Sequence, residues 1–568
     1  MKNHPASFAR LETLEARLAP AGIVALNLSG SLLTITGDAF GNEIGISEAG
    51  GMWTVEALPG SATEFSLNRG PLLSSVTFAA PASIRANLGA GDDVLLLSGL
   101  TMSGYLTVNA GDGSDTLDLT STFINGAVTA GMGNGDDVFT AGGDLFFGRG
   151  LNVNLGAGAD TFELNATSLL ANAAITAKGA GTPVDLQSFT LAAADGLVKG
   201  AVTLSATGNA PADFIIGDLP DDLLTVTGAL NLSAGAGEDH VFLSGTLDIA
   251  GMLNIRLGNG VNLVRSDDLG DLFARGLFYG GGSGTDELIL LGRDIDLATT
   301  LTFNGGAGTN RLELDQTGFT TIGGALTYNG GAGVDVLLIG GADTLVGGLV
   351  AMNAGAGENA FGLNSVLASV GSVRFTGGAG NDVVDIGENT GASDLVTVRG
   401  AVNVNTGAGS ADVLVRDADI HGALNITTNS PFGGIDLVRI LDSDVRGAMM
   451  TRMNGGADSD VIVRDSIFDR NATIHTGNGD DLVEFDTDTD VSSIFSVFHG
   501  YVRVYLGAGN DIFLAGSNPA VNTVGNDFRG YVDVHGGAGY DRVYFMDPAY
   551  NNIFPGGEPL AFTVEEVY

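Results

Sequence analysis

Aspartate follows a Gly-x-Gly-x step again and again in this chain: at Asp93, Asp115, Asp137, Asp160, Asp239, Asp286, Asp335, Asp382, Asp481, Asp511 and Asp541. Asparagine takes the same place at Asn262, Asn310 and Asn359, and worn copies remain in GAGSAD (407–412), GGID (433–436) and GADSD (456–460). Carboxylates repeated in this way have two uses. As hard oxygen ligands they hold cations; as turn residues they hydrogen-bond the backbone of a tight corner whose positive φ the glycines supply. Exchange of Asp for Asn is what a turn tolerates and what a cation site tolerates poorly. Yet a column of carboxylates one strand spacing apart, in a chain of net charge −42, repels itself and needs relief.

The spacing says what holds these residues. From Asp93 to Asp115, Asp137 and Asp160 the steps are 22, 22 and 23 residues; from Asp286 through Asn310, Asp335 and Asn359 to Asp382 they are 24, 25, 24 and 23; from Asp481 through Asp511 to Asp541 they are 30 and 30. A period in this range is the mark of a solenoid. After each turn, apolar residues recur two and four places on, as in DTLDL (115–119), DTFEL (160–164), DELIL (286–290), NRLEL (310–314) and DVVDI (382–386). Period 2 means strands with one buried face, which places Leu117, Phe162, Leu288, Leu312 and Val384 inside and turns Asp118, Glu163, Glu313 and Asp385 to water. A coil of 22–30 residues holds about three short strands and three turns. The expectation is an all-β chain: a right-handed parallel β-helix of about twenty coils, with residues 86–548 as the repeats, 21–85 as N-terminal cap and first coils, and 549–568 as C-terminal cap.

Four segments, GGSGTDELI (281–289), GGAGVDVLL (330–338), GGAGNDVVD (377–385) and GGAGYDRVY (536–544), match the nonapeptide G-G-x-G-x-D-x-U-x, and the chain here resembles the haemolysin-type (RTX) calcium-binding repeats. The lead-in LLTITGDAFGNEIGISEAGGMWTV (32–55) also looks like the strands common ahead of such arrays. The resemblance implies calcium held between stacked loops by the eleven aspartates named above and by turn carbonyls. The pattern departs from the family in carrying one turn per coil where those nonapeptides run back to back, so only one edge would bind metal. A second resemblance concerns residues 1–20: RLETLEARLAPAG is similar to the LE-x-R-L-x-P-A leader of many predicted exported and surface proteins of planctomycete bacteria, and Phe8, Leu11, Leu14 and Leu18 suit a short amphipathic helix ending before Pro20.

Other slots are plainer. Asn87, Asn109, Asn154, Asn304, Asn329, Asn353 and Asn454 stand six residues ahead of the turn position, with Asn405 offset by one, and suit an amide ladder along the rod. LVRD (414–417) and IVRD (462–465) suit a solvated ion-pair ladder. Near the C-terminal end, alternation turns His475, Tyr505 and His535 outward in one slot, with Arg503 and Asp533 beside them, a set that suits a sugar or a carboxylate.

Composition excludes much else. The charge of −42 repels nucleic acid, and no apolar run approaches the ~18–20 residues of a membrane span. There is no cysteine, hence no disulfide framework or thiolate site. No nucleophile motif or His/Glu metal motif is present, and the glycine motifs lead into strands, unlike nucleotide-binding fingerprints. With three lysines and Trp53 as its one tryptophan, the chain is poorly supplied for the enzymatic work done on acidic sugars by some β-helices. The expectation is therefore a secreted or cell-surface structural or adhesive repeat protein, with calcium as cofactor and extracellular polysaccharide or cell-surface components as partners. The alternative is a polysaccharide-binding or polysaccharide-degrading β-helix protein.

Overall fold

The computed structural model describes residues 22–387, 395–431, 434–456, 458–486, 495–516, 526–545, 560–564 and 566–567. The leader at 1–20 and most of 549–568 lie outside them. Among the described residues there is no helix; the chain is a β-solenoid of about 18 turns, strand for 67% of its length, and about 85 Å long at one strand spacing per turn.

One coil serves to describe the others. Leu106–Asp112 forms the first face, Thr116–Thr120 the second and Phe123–Ile124 the third, with a turn after each. Each strand pairs in parallel with its copy in the next coil, Leu106 with Val128, Leu117 with Phe139 and Ile124 with Phe147. Register shifts are confined to bulges near the turns, such as Gly143/Asp144 and Asn405/Gly407, so inward residues still form continuous columns. The column through Leu117 continues as Phe139, Phe162, Phe189 and Phe214, and later as Leu288, Leu312, Leu337, Phe361 and Val384, all at 1% exposure or less. Two pairs of phenylalanines in this column stack face to face: Phe139 and Phe162 lie 5.3 Å apart at 6°, Phe189 and Phe214 5.1 Å apart at 12°.

The alternation holds at the five expected core positions. Of the outward set, Glu163 is exposed, and Asp118 and Glu313 are half-buried on the outer face. Asp385 does not stand free in water. It is half-buried, one carboxylate oxygen is covered, and burial raises its pKa against the opposing pull of Arg439 and Arg416. Arg416 lies on the adjacent strand and Arg439 one strand further on, where it reaches Asp412 at 2.7 Å.

At the N-terminal end the pairing changes sign. Ile23–Ser29 runs antiparallel to Leu32–Thr36, Glu43–Ala49 to Met52–Ala57, and the latter to Ser75–Ala79. Hairpins turned back on themselves do not extend the parallel ladder, so the edge of the first coil is covered and Trp53 is wholly buried. At the other end Leu560–Phe562 and Glu566–Val567 pair in parallel with the strands before them.

Candidate functional site

The corner that bears the aspartates is built by close stacking. Gly111 and Gly113 have φ of 127° and 138°, in the region that disfavours side chains, and a Cβ on Gly111 would lie 1.7 Å from the carbonyl oxygen of Gly89 in the coil before. Only glycine permits that approach. The turn then delivers Asp115 to the start of the second face with its side chain pointing inward. All eleven turn aspartates are exposed by 2% or less.

Their partners lie in the neighbouring coil. The backbone N–H of Asn42 donates to Asp93 Oδ1 at 2.7 Å, that of Asp93 to Asp115 at 2.9 Å, that of Asp115 to Asp137 at 2.9 Å, and that of Asp137 to Asp160 at 3.2 Å. The same ladder returns from Ser459 to Asp481 (2.8 Å), from Asp481 to Asp511 (2.9 Å) and from Asp511 to Asp541 (3.2 Å). Ala212 donates to Asp239 and Ala411 to Asp436 in the same manner, so the worn copy GGID keeps the function. In the worn copy GADSD the ladder position is Ser459, which pairs with Asp436, while Asp460 turns outward. The residue before each turn aspartate forms an outer row: Asp92 accepts from Ser114 N–H, Asp136 from Ala159 and Asp480 from Asn510.

In the rows 93–160 and 481–511 one oxygen of each inner carboxylate is thus used and the other is not. Oδ2 of Asp93, Asp115, Asp137, Asp160, Asp481 and Asp511 is buried with no hydrogen-bond partner. Loss of hydration disfavours the charged form, so burial pushes Asp93 and Asp160 up to about 6, and Asp137, Asp239, Asp481 and Asp511 to about 7; Asp115 is raised by the same cause.

The middle of the rod solves the problem differently. From 262 to 382 the column reads Asn262, Asp286, Asn310, Asp335, Asn359, Asp382, strictly alternating. Each asparagine donates through Nδ2 to the aspartate of the next coil: Asn262 to Asp286 and Asn310 to Asp335 at 2.7 Å, Asn359 to Asp382 at 2.8 Å. The same amide nitrogens reach turn carbonyls, Asn310 to Gly306 at 3.1 Å and Asn359 to Gly357 at 3.1 Å. Tyr279 and Tyr328 add hydroxyl donors to Asp286 and Asp335. No two carboxylates are adjacent here, so what reads as a broken acidic row in the sequence is one relieved of carboxylate–carboxylate contact, although Oδ2 of Asp286 and of Asp382 is still buried without a partner.

These two arrangements differ in their fitness for calcium. Along Asp93, Asp115, Asp137 and Asp160, and again at Asp481 and Asp511, orphaned carboxylate oxygens stand in successive coils, a chemistry that suits a cation. In the block 262–382 an amide nitrogen already donates to the turn carbonyls, and the residues do not suit one. Among the described residues no three His, Asp or Glu side chains converge as a metal site, so turn carbonyls would have to supply part of any coordination shell. The first block is closed by amides at both ends: Asn42 Nδ2 donates to Asp93 at 3.0 Å, and Gln187, in the coil after Asp160, donates to the Gly158 carbonyl at 2.5 Å.

On the first face the outward slot is one continuous column. Amides pair where they are neighbours, Asn109 to Asn87, Asn329 to Asn304 and Asn353 to Asn329, at 2.7, 2.7 and 2.8 Å, whereas Asn154 stands between Gly131 and Lys178. Asn405 belongs to it, paired with Thr376, whereas Asn454 does not: Arg452 holds that place. Register then brings His475, Tyr505 and His535 together. Their rings stack at 4.5 and 4.8 Å, within 11° of parallel, so ring edges and not ring faces meet the solvent. Burial lowers the His475 pKa, with Arg452 adding to the effect. Beside this column Arg503 donates to Asp533 at 3.1 Å and lies over the Tyr501 ring, and Tyr501 stacks on Tyr531, two residues absent from the expected set although they share the parity of Arg503 and Asp533. No protein-family model matches this chain, and no curated protein matches it either.

Proposed function

We propose that the chain is a secreted or cell-surface structural and adhesive rod whose two acid blocks take calcium. The observation that carries the reading is the row of buried, unpartnered carboxylate oxygens at Asp93, Asp115, Asp137 and Asp160, in successive coils of a chain with net charge −42. Such a row needs protons or cations, and near neutral pH a divalent cation relieves it without protonation. A site bound at a hundred times its Kd contributes about 2.7 kcal/mol of stability. The test is a thermal melt at pH 7.5 in millimolar calcium and in chelator. A higher Tm with calcium, diminished in Asp115→Asn, supports the reading. Identical melts leave the ladder as a purely structural device.

The stacked column of His475, Tyr505 and His535, with Arg503 and Asp533 beside it, supports a second reading in which this face holds extracellular polysaccharide or a carboxylate through ring-edge hydrogen bonds. Replacing the three rings by asparagine restores the slot of earlier coils. Unchanged retention on a glycan panel would show the face to be a wall.

A further inference from the structure

Two loops leave the coil outline on either side of a coil that does not. The first, 217–222, is folded around Asp222, whose Oδ2 accepts the N–H groups of Asp218 and Leu219 at 2.9 and 3.1 Å. The second, 266–271, is folded around Asp267, which accepts the N–H groups of Leu269 and Gly270 on one oxygen and that of Gly245 on the other. The coil between them turns tightly at Gly245, with φ of 69°. A short turn between two long ones leaves a notch of about 570 Å³.

The lining of the notch is mainly apolar. Phe242, 42% exposed, projects from the outer face between its register partners Ile215 and Arg265, and Pro220 and Leu269 form the walls. The rim is acidic. Asp218 and Asp268 are exposed, and the one guanidinium present, Arg265, lies 4.0 Å from Asp268. Exposed aromatic surface in a concavity is stabilised by an apolar group, and two carboxylates in the field of a strongly acidic chain repel any anion. A neutral sugar would gain from Phe242 and from hydroxyl donation to the rim carboxylates, but not the ion-pair attraction that a cation gains there.

We propose that this notch docks a partner's peptide segment in which an aromatic or branched aliphatic side chain adjoins lysine or arginine. The apolar side chain fills the space over Phe242, and the cation lies between Asp218 and Asp268. The loops are held by Asp222 and Asp267, not by the turn ladder, so the site is independent of calcium.

The experiment uses the full chain and three probes at low salt: amidated Lys-Phe-Lys, Glu-Phe-Glu, and methyl α-glucopyranoside, followed by saturation-transfer NMR. Saturable binding of the basic tripeptide alone is expected. Phe242→Ala should abolish it with an unchanged Tm, and Asp218→Asn and Asp268→Asn should each weaken it by about fivefold. Binding of the acidic tripeptide equally well, binding of the sugar in place of the peptide, no binding of any probe, or indifference to Phe242→Ala would overturn the proposal.

Discussion

The backbone N–H of Asp115 donates to the carboxylate of Asp137, 22 residues further along and one coil away, at 2.9 Å. That carboxylate is the sole acceptor this buried N–H has. Asp137→Ala should therefore leave a donor stranded and cost about 1–3 kcal/mol. Asp137→Asn keeps an acceptor, removes the charge and introduces an amide such as Asn310 already uses. In chelator at pH 7.5 it should be neutral or stabilising. Denaturant unfolding of the two variants side by side measures the difference.

Stability should depend on pH in an unusual direction for a row of carboxylates. The folded pKa of Asp137, Asp481 and Asp511 is raised from 3.8 to about 7, so the folded state holds protons the unfolded chain has released. Their contribution is fully present below about 3.8 and is lost as pH rises through 7. In chelator the Tm at pH 5 should exceed that at pH 8, and calcium should narrow the gap. Melts across pH 4.5–8.5 with and without calcium read this directly.

The acid blocks and the alternating block should respond separately. Hydrogen exchange in chelator at pH 7.5 should accelerate in the coils of 93–160 and 481–541 and remain unchanged across 262–382, where each aspartate already has an amide donor. Uniform acceleration along the rod would show that alternation confers no local advantage.

Phe162→Ala should cost on the order of 3–5 kcal/mol, since Phe162 is fully buried and stacked on Phe139. Its neighbour Glu163 is exposed, and Glu163→Ala should stay within about 0.5 kcal/mol. Denaturant midpoints for the pair test the register.

The period-2 pattern was enough to read the strands, their parallel stacking and the inner column of Leu117, Phe162, Leu288, Leu312 and Val384, because burial of one face imposes that alternation. The inward direction of the aspartates takes one further step. Asp115 shares the parity of Leu117 and Leu119, so alternation carried back into the turn already points it inward. The slot shared by His475, Tyr505 and His535 was visible as a spacing, but ring orientation depends on packing between coils and has no trace in a spacing. The notch was out of reach, since lengthened turns at 217–222 and 266–271 say nothing of the short turn between them.

Every rung of the inner carboxylate ladder runs the same way, from the N–H of one coil to the side chain of the next, while the outer row runs back. The rod is therefore polar, as a row of identical hooks and eyes is polar. Parting it between Asp115 and Asp137 would expose a bare donor on one stump and a bare acceptor on the other. Stumps of opposite kind present complementary rungs and stumps of the same kind do not, so the inner ladder favours the orientation in which the pieces first fitted.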